Sequence, residues 1–455
     1  MGRSPLSFPV RSPILGACSL RPSVWQFARP SVGLGTSSGT SVVQTLSAPH
    51  WEAAFVVVAT VMFATNITEI FLTFGALGTT YPPQVRLAFL LIYAVAGLLL
   101  LRSRHALPTL VTTAPLLLVV LMVPPLSILW SVDPDESVER AIAVIGTSLF
   151  GAYLGWRFTL GRIVFLLAIA MTIAVGLSLI AIVALPSIGI AQSGQWAGTW
   201  TGIQFHKNGL GGAAGLASIV IGYAIADSRG FWRAAFCGAF LIALVLLVGS
   251  QSMSSLLAVL VVGMLALWAR LLQTMPREIP VLSMIIGFGV VIAAVQLIGV
   301  ELVESTLATL GKRSDLSSRM PLWGIVWTFI EERFWLGYGF EAFWKSDSPD
   351  MRLIQEQIHF VPFYSHNGLL ETWLNGGLVL VVLMFGLLAL VVTKSAILFA
   401  RWRRLSVSAF PLIYCCYVIM MNVAESSVLA RNNLVWALLV TFAVFTGKRV
   451  RLRVV

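Results

Sequence analysis

The chain predicts an all-α, polytopic membrane bundle of about twelve transmembrane helices with one large extramembrane loop. Three observations carry that fold class. Of 455 residues, 58% are hydrophobic and 11% charged, where an ordinary soluble domain has roughly a quarter charged. The apolar residues gather into runs near the spanning length of about 20 residues. The 30 Lys and Arg, set against 19 carboxylates for a formal charge of +11, fall in short clusters between those runs. A water-soluble fold is excluded, and charge so distributed speaks for membrane topology rather than a nucleic-acid partner.

Residues 1–50 hold Arg3, Arg11, Arg21 and Arg29, no acid and many Ser and Pro, and read as a disordered basic tail without the apolar core of a signal peptide. Cutting the remainder at charges, prolines and polar clusters leaves spans at 53–77, 87–101, 109–129, 139–156, 163–185, 208–226, 233–250, 254–273, 280–300, 367–393, 406–422 and 434–447. Spans one to nine occupy 51–300 and spans ten to twelve 367–447, with a large loop at 301–366 and a basic tail at 448–455. Cys18 lies in the tail, and Cys237, Cys415 and Cys416 lie in apolar runs, so no disulfide framework or metal-ligand spacing emerges. No nucleotide-binding glycine pattern and no internal repeat appears, which disfavours an ATP-driven pump. No metal and no cofactor are expected.

Orientation follows from the basic connections. Arg102 and Arg104, Arg157 and Arg162, Arg229 and Arg233, Arg270 and Arg277, the Arg401–Arg404 cluster and both tails fall on one side, predicted to be cytoplasmic. The other face then receives 130–139, 186–207, the turn 249–255, the loop 301–366 and 425–433, with most of the carboxylates. A connection as long as 301–366 exceeds what a structural tether needs, so function is expected on this outer face.

The first outer segment runs Trp130-Ser-Val-Asp-Pro, with Asp133 as N-cap, Pro134 at the first helical position and Glu136 at the third. Arg140 lies two turns into that helix, either reaching to lipid head groups or contributing to a site. The second segment brings Trp196, Trp200 and His206-Lys207-Asn208 to the start of the sixth span. Asn208 is expected to cap the helix, while His206 and Lys207 add charge to a helix N-terminus suited to an anion; the alternative is an aromatic belt with a snorkelling lysine. In the long loop, Leu322, Trp323, Val326, Trp327, Ile330 and Phe334 recur at helical spacing after Pro321, predicting an interfacial helix with Arg319 at its N-terminus. Arg313 and Arg319 are then anion ligands or solvated loop charges. The stretch Trp335 to Trp344 offers aromatics for a sugar-binding groove. His366 and Asn367 stand at the outer start of the tenth span, where His366 suits proton transfer or structural capping. Convergence of these helix N-termini would make a positive pocket for a phosphate or pyrophosphate on a lipid.

The motifs Trp130-Ser-Val-Asp-Pro, Gly202 to Asn208, Ser-Arg-Met-Pro-Leu-Trp around Arg319, Trp335-Leu-Gly-Tyr-Gly-Phe and Ser365-His-Asn-Gly together resemble the O-antigen ligase and Wzy-type polymerase superfamily, most closely the ExoQ-type exopolysaccharide polymerases. The likeness runs in order from about residue 52 to 445. It implies a glycosyltransferase of the bacterial inner membrane, metal-independent, with both termini cytoplasmic and the long loop periplasmic. The implied substrates are undecaprenyl-pyrophosphate-linked donor and acceptor glycans, and the implied partners are the lipid bilayer and chain-length-regulating and export proteins. By resemblance, Arg319 matches an arginine assigned to the diphosphate and His366 a histidine that activates the acceptor hydroxyl. Arg140, His206, Lys207, Asn208, Arg313 and Asn367 are expected to bind substrate. Ser318 departs from the glycine that many relatives carry before the arginine. Glu301, Glu304 and Glu371 are open candidates for an assisting carboxylate. Two rivals remain: a ligase that uses lipid A core as acceptor, and a lipid-linked-sugar flippase. A flippase needs ionisable groups along a mid-membrane path, where Glu69 is the clearest charge here.

Overall fold

The computed structural model describes residues 49–73, 82–193, 196–273, 319–344, 362–402 and 406–451 and a few isolated positions. The basic tail expected at 1–50 lies outside them except for Gly2, Pro49 and His50, as does nearly all of the ninth expected span, 280–300. The described helices belong to one unit, Ala48–Val455. Among the described residues the strand-like pairing is an isolated antiparallel bridge between Ile190 and Trp200.

The first expected span is broken. Helix α1 (His50–Ala64) stops at Thr65, whose extended backbone separates it from α2 (Ile67–Thr73). Thr65 Oγ1 donates back to Val61 O at 2.7 Å and Gln204 Nε2 donates to Ala64 O at 2.8 Å. Carbonyls freed by the break are thus satisfied inside the protein, as an apolar solvent requires.

Helix α3 (Pro83–Leu101) begins earlier than the expected 87–101 because Pro83 occupies its first turn. The third expected span, 109–129, is two helices, α4 (Ala106–Thr113) and α5 (Pro115–Ser127), bent by 95°. Pro115 carries no N–H and disfavours helical backbone at Ala114, so the ladder ends there. Lys394 Nζ donates to Thr113 O at 3.0 Å and takes up one carbonyl that the break exposes.

Helix α6 (Pro134–Arg157) starts as the sequence predicts, with the Asp133 side chain accepting from Glu136 N. It is followed by α7 (Leu160–Ala184), the single turn α8 (Pro186–Gly189), α9 (Lys207–Asp227), α10 (Gly230–Gly249) and α11 (Met253–Leu272). Beyond the loop come α12 (Met320–Glu332), α13 (Gly368–Arg401), α14 (Phe410–Asn422) and α15 (Leu434–Arg451). Among the described residues, 6 helices qualify by length and apolarity to cross a membrane (α3, α7, α9, α10, α11 and α13), and the bent pair α4–α5 makes up to 7. The expectation of about twelve spans covers the whole chain, including the ninth, most of which lies outside the described residues. α1 and 406–422 are apolar but short, α6 opens on acids, and α15 ends on bases. Within the basic tail expected at 448–455, Lys448 to Arg451 form the final helical turn of α15, and Lys448 Nζ donates to Trp156 O at 3.0 Å.

Small residues let the helices approach closely. A Cβ added at Gly151 or Gly155 of α6 would lie 2.3 Å from Ala437 O or 2.4 Å from Thr441 O of α15. The same contact carries two polar bonds, Thr441 Oγ1 to Gly151 O at 3.0 Å and Trp436 Nε1 to Ser148 Oγ at 2.8 Å.

Helix α13 is kinked at Gly376 and Gly377, the latter at φ 63° and ψ −166°. A Cβ on Gly377 would meet Trp335 C and O at 2.1 and 2.2 Å, so only glycine admits the turn that intrudes here. That turn replaces the lost helical bonds. Leu378 N donates to Phe334 O at 2.9 Å, and Tyr338 N donates to Leu374 O at 2.7 Å.

Helix α12 packs on α13 through Leu322, Val326, Phe329 and Ile330, joined by Tyr338, Phe343, Leu370 and Leu374. Phe329 rather than Trp327 completes the buried stripe, and Trp327 is exposed. The aromatic stretch expected to line a groove is mostly core: Tyr338, Phe340 and Phe343 are buried, while Trp335 is 66% exposed.

Candidate functional site

Four chain segments meet at the end of the bundle where α6, α9, α12 and α13 begin. The turn 423–433 between α14 and α15 supplies Glu425, whose carboxylate is the centre of the cluster. Oε1 accepts from Asn208 Nδ2 at 2.9 Å and from Arg319 Nη2 at 3.1 Å. Oε2 accepts from the Tyr364 hydroxyl at 3.1 Å and lies 3.5 Å from His366 Nδ1. Arg319 Nη1 also donates to Ala424 O. Asn367 Nδ2 reaches Val423 O at 3.5 Å.

Local backbone chemistry places each of these groups. Arg319 is the N-cap residue of α12, held by Pro321 in the first turn, and is only 6% exposed. Asn367 caps α13 with its side-chain oxygen accepting from Leu369 N and Leu370 N, which fixes His366 just outside the helix. His366 takes a left-handed φ of 52°, uncommon for a residue with a Cβ. Ser365 anchors it from the other side: Ser365 N donates to Glu371 Oε2 at 2.8 Å and Ser365 O accepts from Trp323 Nε1 at 2.9 Å. The His366 and Tyr364 rings lie against each other at a 47° tilt, with centroids 4.2 Å apart.

Burial pushes the Glu425 carboxyl upward, but His366, Arg319 and Tyr364 outweigh it and hold the group down at about 2. Glu425 is therefore an anion at neutral pH. The Tyr364 phenol moves the opposite way, well above its ordinary value, through burial and the adjacent Glu425. The cluster as it stands is a buried carboxylate compensated by a guanidinium, an amide, a phenol and an imidazole.

Arg140 belongs to a neighbouring cluster. It pairs with Glu136 one turn before it and lies 3.6 Å from Glu341 Oε2, the same oxygen that Arg431 Nε contacts at 3.0 Å. Burial, offset by Arg140 and reinforced by Glu371 and Glu136, pushes the Glu341 carboxyl up to about 7. The two clusters share α13 and the turn 423–433: Glu341 N donates to Asn375 Oδ1 at 3.0 Å, and Arg431 lies six residues after Glu425.

The structure thus brings Arg319, His366, Asn208 and Asn367 together and sets Arg140 beside them. His206 and Lys207 do not contact Glu425. Lys207 Nζ lies 3.7 Å above the Trp196 ring, and His206 meets the same ring edge-on. Asn208 is not the helix cap. His206 is, with its side chain accepting from Asn208 N, which frees the Asn208 amide for Glu425. Arg313, Glu301 and Glu304 lie outside the described residues. The expected positive pocket also contains carboxylates, because Arg140, Arg319 and the neighbouring Arg431 each pair with one. Buried guanidinium groups need such partners.

Sequence reasoning missed Glu425, Tyr364, Glu341 and Arg431. One signal was present: 422–433 is a polar interruption between two apolar runs, and Glu425 is its only acid. Of the carboxylates weighed, Glu371 does border the cluster, accepting from Trp344 Nε1 at 2.9 Å and from Ser365 N. No group of three or more His, Cys, Asp or Glu able to hold a metal ion occurs among the described residues.

Comparison with known proteins agrees with the motifs. A family model described as O-antigen ligase matches residues 238–385, a stretch that includes Arg319, His366 and Asn367. The chain is also similar to the exopolysaccharide production protein ExoQ of Rhizobium meliloti (strain 1021), at 29% identity over 220 residues, which is 46% of this chain and 48% of that protein. The match therefore spans about half the length of that relative. The chain resembles the O-antigen ligase family and ExoQ-type proteins.

Proposed function

We propose that the protein is a membrane glycosyltransferase of the polysaccharide polymerase or ligase type, acting in exopolysaccharide production at the outer face of a bacterial inner membrane. In this reading it transfers a growing glycan from an undecaprenyl-pyrophosphate carrier to a hydroxyl of another lipid-linked repeat unit. The observation that carries it is the approach of Arg319 and His366 to opposite oxygens of Glu425. A group that steadies a leaving diphosphate and a group that receives a proton must flank one anomeric carbon, and these two residues are close enough to do so.

The acceptor oxygen attacks the anomeric carbon while the carbon–oxygen bond to the diphosphate breaks. The electron pair leaves with undecaprenyl pyrophosphate, and the hydroxyl proton passes to His366. Attack opposite the leaving group inverts the anomeric centre. Arg319 stabilises the charge that develops on the diphosphate through two-pronged, charge-assisted hydrogen bonds. Asn208 and Asn367 border the acceptor side, and Arg140 stands ready for further anionic groups of the donor; the reading calls on no metal.

The description of the matching family favours a second reading, in which the acceptor is lipid A core and the protein is a ligase. The lipid-linked intermediates of a deletion strain separate the possibilities. Single repeats accumulating on the carrier support the polymerase. Long unligated chains support the ligase, and intermediates trapped facing the cytoplasm would reject both in favour of a flippase.

A further inference from the structure

We infer that Glu425 is a positioning residue for transfer, orienting His366 so that Nδ1 keeps its hydrogen toward the carboxylate and Nε2 is left to receive the acceptor proton. This rests on the reading of His366 as the proton acceptor. His366 Nδ1 is buried, makes no hydrogen bond within the described residues, and has Glu425 Oε2 at 3.5 Å. A buried imidazole N–H needs an acceptor, and the carboxylate is the group placed to serve. With the hydrogen on Nδ1, the lone pair is on Nε2, at the opposite side of the ring.

Glu425 is suited to this because it is itself immobilised. Donors from three other segments hold it: Asn208 on α9, Arg319 at the start of α12, and Tyr364 in the approach to α13. His366 is held from its own side by the Asn367 cap and the Ser365 bonds, which sustain its left-handed backbone. Carboxylate and imidazole therefore face each other from two rigid frames. As the acceptor proton arrives, the nearby anion stabilises the imidazolium that forms.

A second consequence separates this role from a structural one. Glu425 also neutralises Arg319, so removing its charge while keeping its shape leaves Arg319 more available to the diphosphate. Glu425→Gln should then lower turnover without weakening the donor.

The test uses purified full-length protein in lipid nanodiscs, with lipid-linked repeats extracted from a deletion strain as donor and acceptor. Glu425→Gln is expected to lower kcat roughly 10- to 1,000-fold, between the losses typical of a carboxylate orienting a metal-bound and a catalytic imidazole. Donor KM should stay level or fall. Glu425→Asp, which keeps the charge near Arg319 but shortens the reach, should recover part of the loss and supplies the readout if the glutamine variant does not fold. Groups that act as a unit are not additive, so Glu425→Gln combined with His366→Ala should be no slower than His366→Ala alone. Multiplying losses in the double variant, or a raised donor KM with unchanged kcat, would overturn the positioning role while leaving His366 as the base. Near-parent activity in His366→Ala alone would overturn both.

Discussion

Arg319 Nη2 lies 3.1 Å from Glu425 Oε1 across 106 residues of chain, and both side chains are largely buried. Neither is dispensable to the other, since an uncompensated charge in that position costs about 3–5 kcal/mol. The guanidinium that the proposed function assigns to the diphosphate is thus already anchored before any substrate arrives.

The pair predicts an asymmetric response at Arg319. Arg319→Ala should reduce transfer by roughly 10- to 150-fold for each charge-assisted bond to the diphosphate that is lost, and Arg319→Lys should fall less because it keeps the charge and loses the fork. Donor binding measured with lipid-linked pyrophosphate should weaken in parallel. Unchanged donor binding in Arg319→Ala would reduce the residue to a structural partner of Glu425.

The two carboxylates predict opposite pH slopes. Glu341, raised to about 7 from 4.5, favours the folded state when protonated, so its stabilisation is complete below about pH 4.5 and is lost as pH climbs toward 7. Glu425, lowered to about 2 from 4.5, stabilises the folded state above about pH 4.5 and loses that effect as pH falls toward 2. Thermal unfolding in detergent should show Glu341→Gln flattening the decline between roughly pH 5 and 7 and leaving the acid limb intact. A decline that persists in this variant must come from other groups.

The kink in α13 predicts a sharp glycine requirement. Gly377→Ala puts a Cβ against the Trp335 backbone at a left-handed φ, so it should cost at least about 1–3 kcal/mol and lower the unfolding temperature. Gly161→Ala, in a helix with nothing within 4 Å of the new Cβ, is the control and should be neutral or slightly stabilising. Equal behaviour of the two variants would mean that the kink relaxes freely.

The alternating basic connections predict topology. Reporter fusions active only outside the cytoplasm should be active within the 345–350 segment and silent after residue 453. The reverse pattern would place the Glu425 cluster on the cytoplasmic side and remove the proposed periplasmic reaction.

The sequence by itself determined the helical membrane class, the cap at Asp133, the start of α12 beside Arg319 and the placement of His366 and Asn367 at the start of α13. Those features arise from interactions within about four residues of chain, where propensity, proline geometry and capping act directly. Even the break at Pro115 was written there, although the apolar run around it reads as continuous. Tertiary structure alone decided that Asn208 would leave capping to His206 and bond Glu425, that Arg140 would share Glu341 with Arg431, and that Lys207 would turn to Trp196. It also decided that a solitary acid in a short turn would become the centre of the cluster. A charge removed from water takes whatever partner helix packing brings within reach, and neither periodicity nor hydropathy records which helix ends will meet.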